Sequence, residues 1–449
     1  MTTAGDRGPE APALPRCPGA GETAARVRAG RESAVTACRA ALQRIAGTES
    51  VIRAWCHLDG AAAEERAQAI DAAGPQGALA GVPVAVKDII DTADMPTENG
   101  TPLDAGRRPE TDATVVRRLR EAGALVLGKT ATTELACGAA GPTRNPHAPA
   151  RTPGGSSSGS AATVAAGGVP LALGTQTAGS VVRPATFCGA WGMKPSFGAI
   201  PRTGVTRLSR TLDHVGVFAG SAADVALGID AISGDDGLDQ ASTGRAPTRL
   251  AAALALPLGR PRLALIREPA WEEVEPGAAA AYEVAAAVLG AEPIVLGPDC
   301  AAAAAVHRGI MQREIAHAFA PWWERDDADT LSDTVRGHVL AGREIDADAY
   351  LDLLDAADDM RRALACALRP YDAALTPAAP GAAPEGLDFT GSRAQTMFWT
   401  LLGVPAVNVP VLELGGLPLG LQVVGAFGAD ATVLRAAAWC ALRLQEAHR

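Results

Sequence analysis

The sequence lacks several features that would mark other classes of protein. It contains no run of eighteen apolar residues, and residues 1–21 have no apolar core of the kind that signal peptides carry. Its eight cysteines include no CxxC pair, and neither HExxH nor a cysteine–histidine cluster with the spacing of metal ligands occurs. Scattered cysteines in a large chain are typical of reduced thiols. These absences predict a cytoplasmic protein with no transmembrane helix, metal or signal peptide.

Positive charge is also in short supply. Aspartate and glutamate number 50 against 40 lysines and arginines, which gives a net charge of -10. Nucleic acids and anionic membranes select dense positive charge, so neither is expected as a partner. Lysine itself is rare, because only Lys87, Lys129 and Lys194 occur. A genome that favours arginine codons explains the bias, and a lysine that survives it is a candidate for a role that needs proton loss, which arginine cannot provide.

The chain has 449 residues, 48% of them hydrophobic, and segments with helical periodicity alternate with segments typical of strands. Helical patterns are predicted at 23–45, 61–73, 112–121, 157–166, 221–232, 278–289, 301–319 and 429–444, with further helices in the acidic stretch 322–360. Strands are predicted at 81–90, 124–130, 170–174, 262–266, 372–376, 406–412 and 419–424. This alternation predicts one large α/β domain over residues 23–449, preceded by a disordered tail at 1–22.

The stretch RTPGGSSSGSAATVAAG, residues 151–167, admits three interpretations. Its composition is that of a flexible glycine–serine linker. Residues 155–159 also match the nucleophile elbow GxSxG, but that motif follows a buried strand, and TRNPHAPARTP contains none. The third interpretation depends on GTQTAGSVVRPATFCGAWGMKPSFG, residues 174–198, where a strand enters a tight turn before a helix. Converging backbone N–H groups in such a turn bind an oxyanion, and Ser180 ends the turn as a candidate nucleophile.

Together these segments resemble the amidase signature enzymes. Ser156 precedes Ser180 by 24 residues, and VPVAVKD, GKTATTE, GVPAVNVPV and LPLGLQVVG match other segments of that family in order. The resemblance extends from about residue 23 to the C-terminal helix. It implies a single domain with a mixed central β-sheet flanked by helices. It also implies an amidase that hydrolyses a small-molecule carboxamide through an acyl-enzyme and needs no cofactor.

The resemblance further implies a Ser–cis-Ser–Lys triad. Ser180 would be the nucleophile, Ser156 the middle serine in a cis peptide, and Lys87 the terminal base. Lys87 lies in an apolar strand, where desolvation lowers the pKa of a lysine and makes its neutral form accessible. Lys129 and Lys194 are interpreted as structural charges. The oxyanion hole would consist of the backbone N–H groups of Thr177, Ala178, Gly179 and Ser180.

The sequence departs from the family pattern at several positions. Gln176 stands where aspartate is usual, Ala178 and Ser158 each replace a glycine, and Arg183 follows Ser180 by three residues rather than two. Arg183 is a candidate for binding a substrate carboxylate, and a structural salt bridge is the alternative. None of these changes removes an atom of the triad.

Three other functions stay open. The same core occurs in the glutaminase-type subunit of a tRNA-dependent amidotransferase, which would need partner subunits and an ammonia tunnel. An acyltransferase could use the same triad. A binding or scaffold protein would leave the catalytic set unexplained. The sequence identifies neither the substrate nor the oligomeric state, although the N-terminal helices are candidates for a homodimer contact.

Overall fold

A computed structural model describes residues 11–267 and 269–447, without the side chains of residues 298 and 299. The α-helices are α1 Ala20–Arg28, α2 Ala34–Ile52, α3 Gly60–Ala73, α4 Thr114–Glu121, α5 Ser158–Ala165, α6 Val182–Cys188, α7 Ala222–Ile232, α8 Leu250–Leu254, α9 Pro276–Leu289, α10 Ala303–Ala318, α11 Ala320–Trp323, α12 Asp333–Arg343, α13 Ala347–Leu368, α14 Ala394–Leu401 and α15 Asp430–Ala447. The strands are β1 Trp55–Leu58, β2 Pro83–Lys87, β3 Leu125–Thr130, β4 Leu171–Gln176, β5 Trp191–Lys194, β6 His214–Ala219, β7 Leu263–Ile266, β8 Glu292–Ile294, β9 Ala373–Pro377, β10 Ala406–Leu414 and β11 Leu417–Val424.

All these strands belong to one sheet of 11 strands, in the order β1-β3-β2-β4-β6-β5-β10-β11-β9-β7-β8. Strand β2 runs parallel to both β3 and β4, and β7 runs parallel to both β8 and β9. The strands between these groups pair antiparallel. The fold is therefore a single α/β domain with a mixed sheet, which confirms the predicted fold class.

The central strands place apolar side chains on both faces of the sheet, so helices pack against both faces. In β2, Val84 and Val86 join the larger core cluster, which also takes residues from α4, α7 and α15. Ala85 joins the second cluster, with residues from α2, α3 and α5. Lys87 has the same parity as Ala85, so the strand directs it toward the face that α5 covers.

Two predicted helix boundaries are wrong. The predicted helix 23–45 is two helices, because Gly30 adopts a positive φ of 64° and Ser33 caps α2 through a hydrogen bond from the Thr36 N–H. The sequence predicts Asp112 as the cap of a helix at 112–121, but α4 begins at Thr114 and Asp112 accepts from the Ala93 N–H instead. At both sites, nearby polar side chains can accept a hydrogen bond from more than one backbone N–H, so the sequence alone does not fix the residue at which the helix begins.

Strands β1, β5, β6 and β8 are not predicted by the sequence pattern. Two of them, β5 and β6, contain the glycines Gly192 and Gly216, and glycine weakens the pattern by which a strand is recognised. A side chain at Gly216 would lie 2.7 Å from Val181 Cγ2, so close packing against the residue that precedes α6 explains the glycine. Helix α7 begins close to the predicted 221, and Ser221 caps it, because Ser221 Oγ accepts from the Asp224 N–H at 3.1 Å.

The predicted N-terminal tail includes the start of a helix. Helix α1 begins at Ala20, inside the predicted tail, and the Gly21 N–H donates to Asp224 Oδ1 at 2.9 Å. Arg44 Nη2 also contacts Cys17 Sγ at 3.6 Å. Residues 1–10 of the predicted tail lie outside the described residues. None of the helices in the described ranges combines the length and the apolarity that a membrane crossing requires.

Candidate active site

Lys87 is the last residue of β2, and its side chain is 0% exposed. The parallel register places it beside Thr130 of β3. Lys87 Nζ donates hydrogen bonds to Ser156 Oγ and to Thr175 Oγ1, each at 2.8 Å. The structure thus brings together Lys87 and Ser156, which the sequence singles out, and adds Thr175, which it does not.

Burial dominates the electrostatics of Lys87. Removal from water disfavours the ammonium form and lowers the pKa of Lys87 to about 7, although the Asp213 carboxylate acts in the opposite direction. Asp213 is buried as well, and burial raises its pKa even though it accepts from Thr177 Oγ1 at 2.6 Å. A lysine with a pKa near neutrality can take a proton from an adjacent hydroxyl at physiological pH.

The serine segment is an ordered turn followed by α5 and not a flexible linker. The peptide bond between Gly155 and Ser156 is cis, as the family resemblance implies. Ser157 Oγ donates to the Thr175 carbonyl at 3.1 Å and lies 3.2 Å from the Thr175 nitrogen. A Cβ at Gly174 would lie only 2.7 Å from Ser157 Oγ, so glycine leaves the space that this contact needs. The serine turn is thereby held against the end of β4.

Arg183 supports the same turn from the other side. It is buried, and its two terminal nitrogens donate to the Gly391 and Gly155 carbonyls, each at 2.6 Å. Its backbone N–H donates to the Gly179 carbonyl at 3.0 Å. Arg183 makes no ion pair with the described residues, so the geometry matches neither the structural salt bridge nor a carboxylate site with free terminal nitrogens. Binding of a substrate carboxylate by Arg183 stays a prediction, and its Nε has no partner among those residues.

Residues 177–180 form the turn between β4 and α6, and several of their carbonyl groups are occupied. His307 Nε2 donates to the Thr177 carbonyl at 2.9 Å, and Thr400 Oγ1 donates to the Ala178 carbonyl at 2.7 Å. By contrast, none of the four backbone N–H groups of this turn donates to an acceptor among the described residues. Four adjacent donors without acceptors are suited to binding a negatively charged oxygen.

Gln176 explains how the turn tolerates the loss of the usual aspartate. Its Oε1 accepts from the Val181 and Val182 N–H groups at 2.8 and 3.0 Å, at the start of α6. Its Nε2 donates to Thr400 Oγ1 at 2.9 Å. A carboxylate could accept the first two bonds but could not donate the third. Glutamine therefore ties the turn to α14 as well as to α6.

Ser156 and Ser180 line one cavity of about 410 Å³. Thr177 and Ala178 line it too, so the turn opens onto the same space. No hydrogen bond joins Ser156 to Ser180 among the described residues, a gap that catalytic hydroxyls often close only when substrate is bound. One small molecule in the cavity can thus contact both serines and the turn, and the buried Lys87 amine reaches the cavity only through its hydrogen bond to Ser156.

The sequence patterns identify none of four residues that the structure places at the site. Thr175 accepts from Lys87, Asp213 accepts from Thr177, and Arg308 and Arg393 line the cavity. Thr175 lies in the strand that delivers the turn, so its position could have suggested it. The two arginines lie far apart in the sequence and belong to no motif, and only the packing of α10 against α14 brings them to one cavity.

Comparisons with known proteins match nearly the whole chain. The sequence profile described as Amidase matches residues 36–434. One subunit of the glutamyl-tRNA(Gln) amidotransferase from Salinispora arenicola is 34% identical over 469 residues, which cover 93% of this chain and 96% of the relative.

Solved structures with the same fold match nearly the whole chain as well. The peptide amidase of Stenotrophomonas maltophilia superposes with a TM-score of 0.83 at 29% identity, over 95% of this chain and 97% of that one. A structure from a vestigial protein complex, described as revealing the evolutionary origins of an s-triazine catabolic enzyme, has a TM-score of 0.87 at 30% identity. It covers 96% of this chain and 98% of its own.

Proposed function

The chain belongs to the amidase family, and on that premise we propose that Ser180, Ser156 and Lys87 cleave a carboxamide through an acyl-enzyme intermediate. Cleavage of amide C–N bonds is the activity that its relatives share. One observation carries the assignment of residues: the 2.8 Å hydrogen bond from buried Lys87 to Ser156, in the cavity where Ser180 ends a turn of unpaired N–H groups.

The reaction begins with a proton relay. Neutral Lys87 takes a proton from Ser156 while Ser156 takes one from Ser180, and Ser180 Oγ attacks the amide carbon. The N–H groups of residues 177–180 stabilise the oxyanion, and each such donor contributes about 100- to 1000-fold in rate. Ser156 then protonates the departing amine. Water, deprotonated by the same relay, hydrolyses the ester and restores Ser180.

An electrophilic serine probe tests this assignment directly. A fluorophosphonate should label Ser180, and peptide mapping by mass spectrometry should find the adduct there. The label should be nearly absent from Lys87→Met, because the relay has lost its base. A chain that turns over amides while Ser180 remains unlabelled would contradict the proposal.

Two finer functions share this chemistry. The curated relatives belong to amidotransferases, which gives the glutaminase-type subunit the stronger support. The solved neighbours include a peptide amidase and a cyclic dimer hydrolase, which supports a small-molecule amide hydrolase. An acyltransferase, a cytoplasmic location and a homodimer remain predictions from the sequence.

Ammonia release separates these functions. A free amidase should hydrolyse a panel of carboxamides alone, with little preference for L-glutamine. A glutaminase-type subunit should act on L-glutamine, and its rate should rise when the remaining amidotransferase subunits are added. Added hydroxylamine should be converted to hydroxamate in place of acid to the extent that the enzyme transfers acyl groups.

The pH dependence of kcat/KM tests the state of Lys87. Because burial lowers the pKa of Lys87 to about 7 and the neutral form is the base, kcat/KM should rise with pH up to about 7 and then level off. Asp213 raises this pKa, so Asp213→Asn should move the acid limb to lower pH. Asp359→Asn, which removes an exposed carboxylate on α13, is the matched control and should not move it. An acid limb that stays in place or moves upward in Asp213→Asn would contradict the assignment.

A further inference from the structure

The charges of the cavity are unbalanced. Arg183, Arg308 and Arg393 all line it. Among the described residues, neither Arg308 nor Arg393 forms an ion pair or a side-chain hydrogen bond, although arginines on other surfaces of the chain pair with carboxylates. Unpaired guanidinium groups that share a cavity repel each other, and an anion bound in that cavity would relieve the repulsion.

The effect of these cations reaches neighbouring groups. Burial and then the charges of Arg393 and Arg308 lower the pKa of His338 to about 4. Burial, reinforced by Arg393, lowers the pKa of Arg183 to about 9. His338 is therefore neutral at physiological pH and does not add to the positive charge. The positive potential of the cavity comes from the arginines.

Arg393 also lies against the turn that would hold the oxyanion. It immediately precedes α14, and Thr396 of that helix packs so tightly on the turn that a Cβ at Gly179 would clash with Thr396 Oγ1. The same Cβ would lie 3.5 Å from the Arg393 Cβ. Gly179 thus permits the approach that brings Arg393 beside the reacting centre. Arg393 and Ser180 line the same cavity, so one small molecule can contact both.

Two carboxylates line the cavity as well, and they do not neutralise these arginines. Glu273 and Asp388 are exposed, and Glu273 accepts a hydrogen bond from Ser392 Oγ at 2.8 Å. Neither pairs with Arg308 or Arg393 in the described part of the chain. Charges in contact with water are screened more strongly than charges inside a cavity, so the half-buried Arg393 is the stronger determinant of what binds.

We infer that Arg393 and Arg308 bind a carboxylate of the substrate, so that the enzyme prefers monoamides of short dicarboxylic acids to neutral amides of the same shape. This inference rests on the proposed function, because it concerns the cavity in which Ser180 acts. It replaces Arg183, whose terminal nitrogens hold Gly391 and Gly155, as the principal carboxylate ligand. A planar guanidinium is suited to such recognition because it donates two parallel hydrogen bonds to a carboxylate.

Matched substrate pairs test the inference. Malonamate, succinamate and glutaramate should each be compared with the neutral amide in which a methyl group replaces the carboxylate. For the best carboxylated substrate, the ratio of kcat/KM for the charged to the neutral member should exceed about 100-fold in the natural chain. Arg393→Met should lower that ratio by about 100-fold, and Arg308→Met by about 10-fold because Arg308 is exposed. Arg393→Lys should recover part of the loss.

Arg443→Gln, which removes a positive charge from the exposed end of α15, is the control and should leave the ratio unchanged. If Arg393→Met does not fold, Arg308→Met and competitive inhibition by malonate or succinate provide the same readout. A ratio near one in the natural chain, or a ratio that Arg393→Met and Arg308→Met leave unchanged, would overturn the inference. The proposed function would survive either result as long as Ser180→Ala removes hydrolysis of both members of a pair.

Discussion

Replacing Ser180 by alanine should lower kcat by about 10³- to 10⁶-fold, because no acyl-enzyme can form without the nucleophile. The change leaves the backbone N–H of residue 180 and the rest of the turn in place, so any residual rate reports the donors of residues 177–180. Turnover of a carboxamide, measured together with the mass of the protein after treatment with a serine probe, gives the loss of rate and of acylation in one experiment.

Ser33→Ala provides the same chemical change away from the cavity. Ser33 Oγ accepts from the Thr36 N–H at 3.0 Å and caps α2, so its loss should lower the free energy of unfolding by about 1 kcal/mol without changing turnover. Wild-type turnover in Ser180→Ala would remove the basis of the proposed mechanism. Equal losses of activity in both variants would point to instability instead.

The positions of the proposed triad can be predicted because each residue lies in a contiguous, recognisable segment. Lys87 ends a buried strand, Ser156 begins the serine run, and Ser180 ends the turn after β4. Arg308 lies on α10 and Arg393 immediately precedes α14, and these two helices come together only in the folded chain. Because the sequence is rich in arginine, its composition gives no reason to select these two. Substrate recognition of this kind is a property of tertiary packing, and local sequence patterns do not encode it.

Composition supports a different kind of prediction. All three lysines are 0% exposed, although arginine accounts for almost all other basic residues. Lys129 Nζ donates to the Ile90 carbonyl at 2.8 Å and to the Pro96 carbonyl at 3.3 Å, and Lys194 Nζ donates to the Val404 carbonyl. A compact ammonium fits between converging carbonyls where a planar guanidinium needs more space. Scarcity therefore identifies buried amines, but only their partners show which amine faces the hydroxyl of the serine turn.

The contact of Lys87 with the serine turn leads to the second prediction with a large effect on activity. Lys87→Arg and Lys87→Met should each lower kcat/KM by about 10²- to 10⁴-fold, the usual contribution of a general base. Arginine keeps the positive charge but cannot lose its proton, and methionine keeps the approximate length but has no base. If Lys87 acted only through its charge, Lys87→Arg would retain most of the activity. The pair of variants therefore separates proton transfer from electrostatic stabilisation, and kcat/KM measured from about pH 5 to 9 should lose the limb near 7 in both.

Lys194→Met is the control for these variants. Burial lowers the pKa of Lys194 to about 7 as well, but its Nζ donates to the carbonyls of Val404 and Pro195 and to no serine of the cavity. A lysine with the same titration range and without a catalytic hydroxyl to deprotonate cannot start the relay. Lys194→Met should therefore destabilise the fold while leaving the acid limb of kcat/KM in place. If the limb disappears in Lys194→Met and persists in Lys87→Arg, the catalytic titration belongs to the other amine, and the relay through Ser156 loses its base.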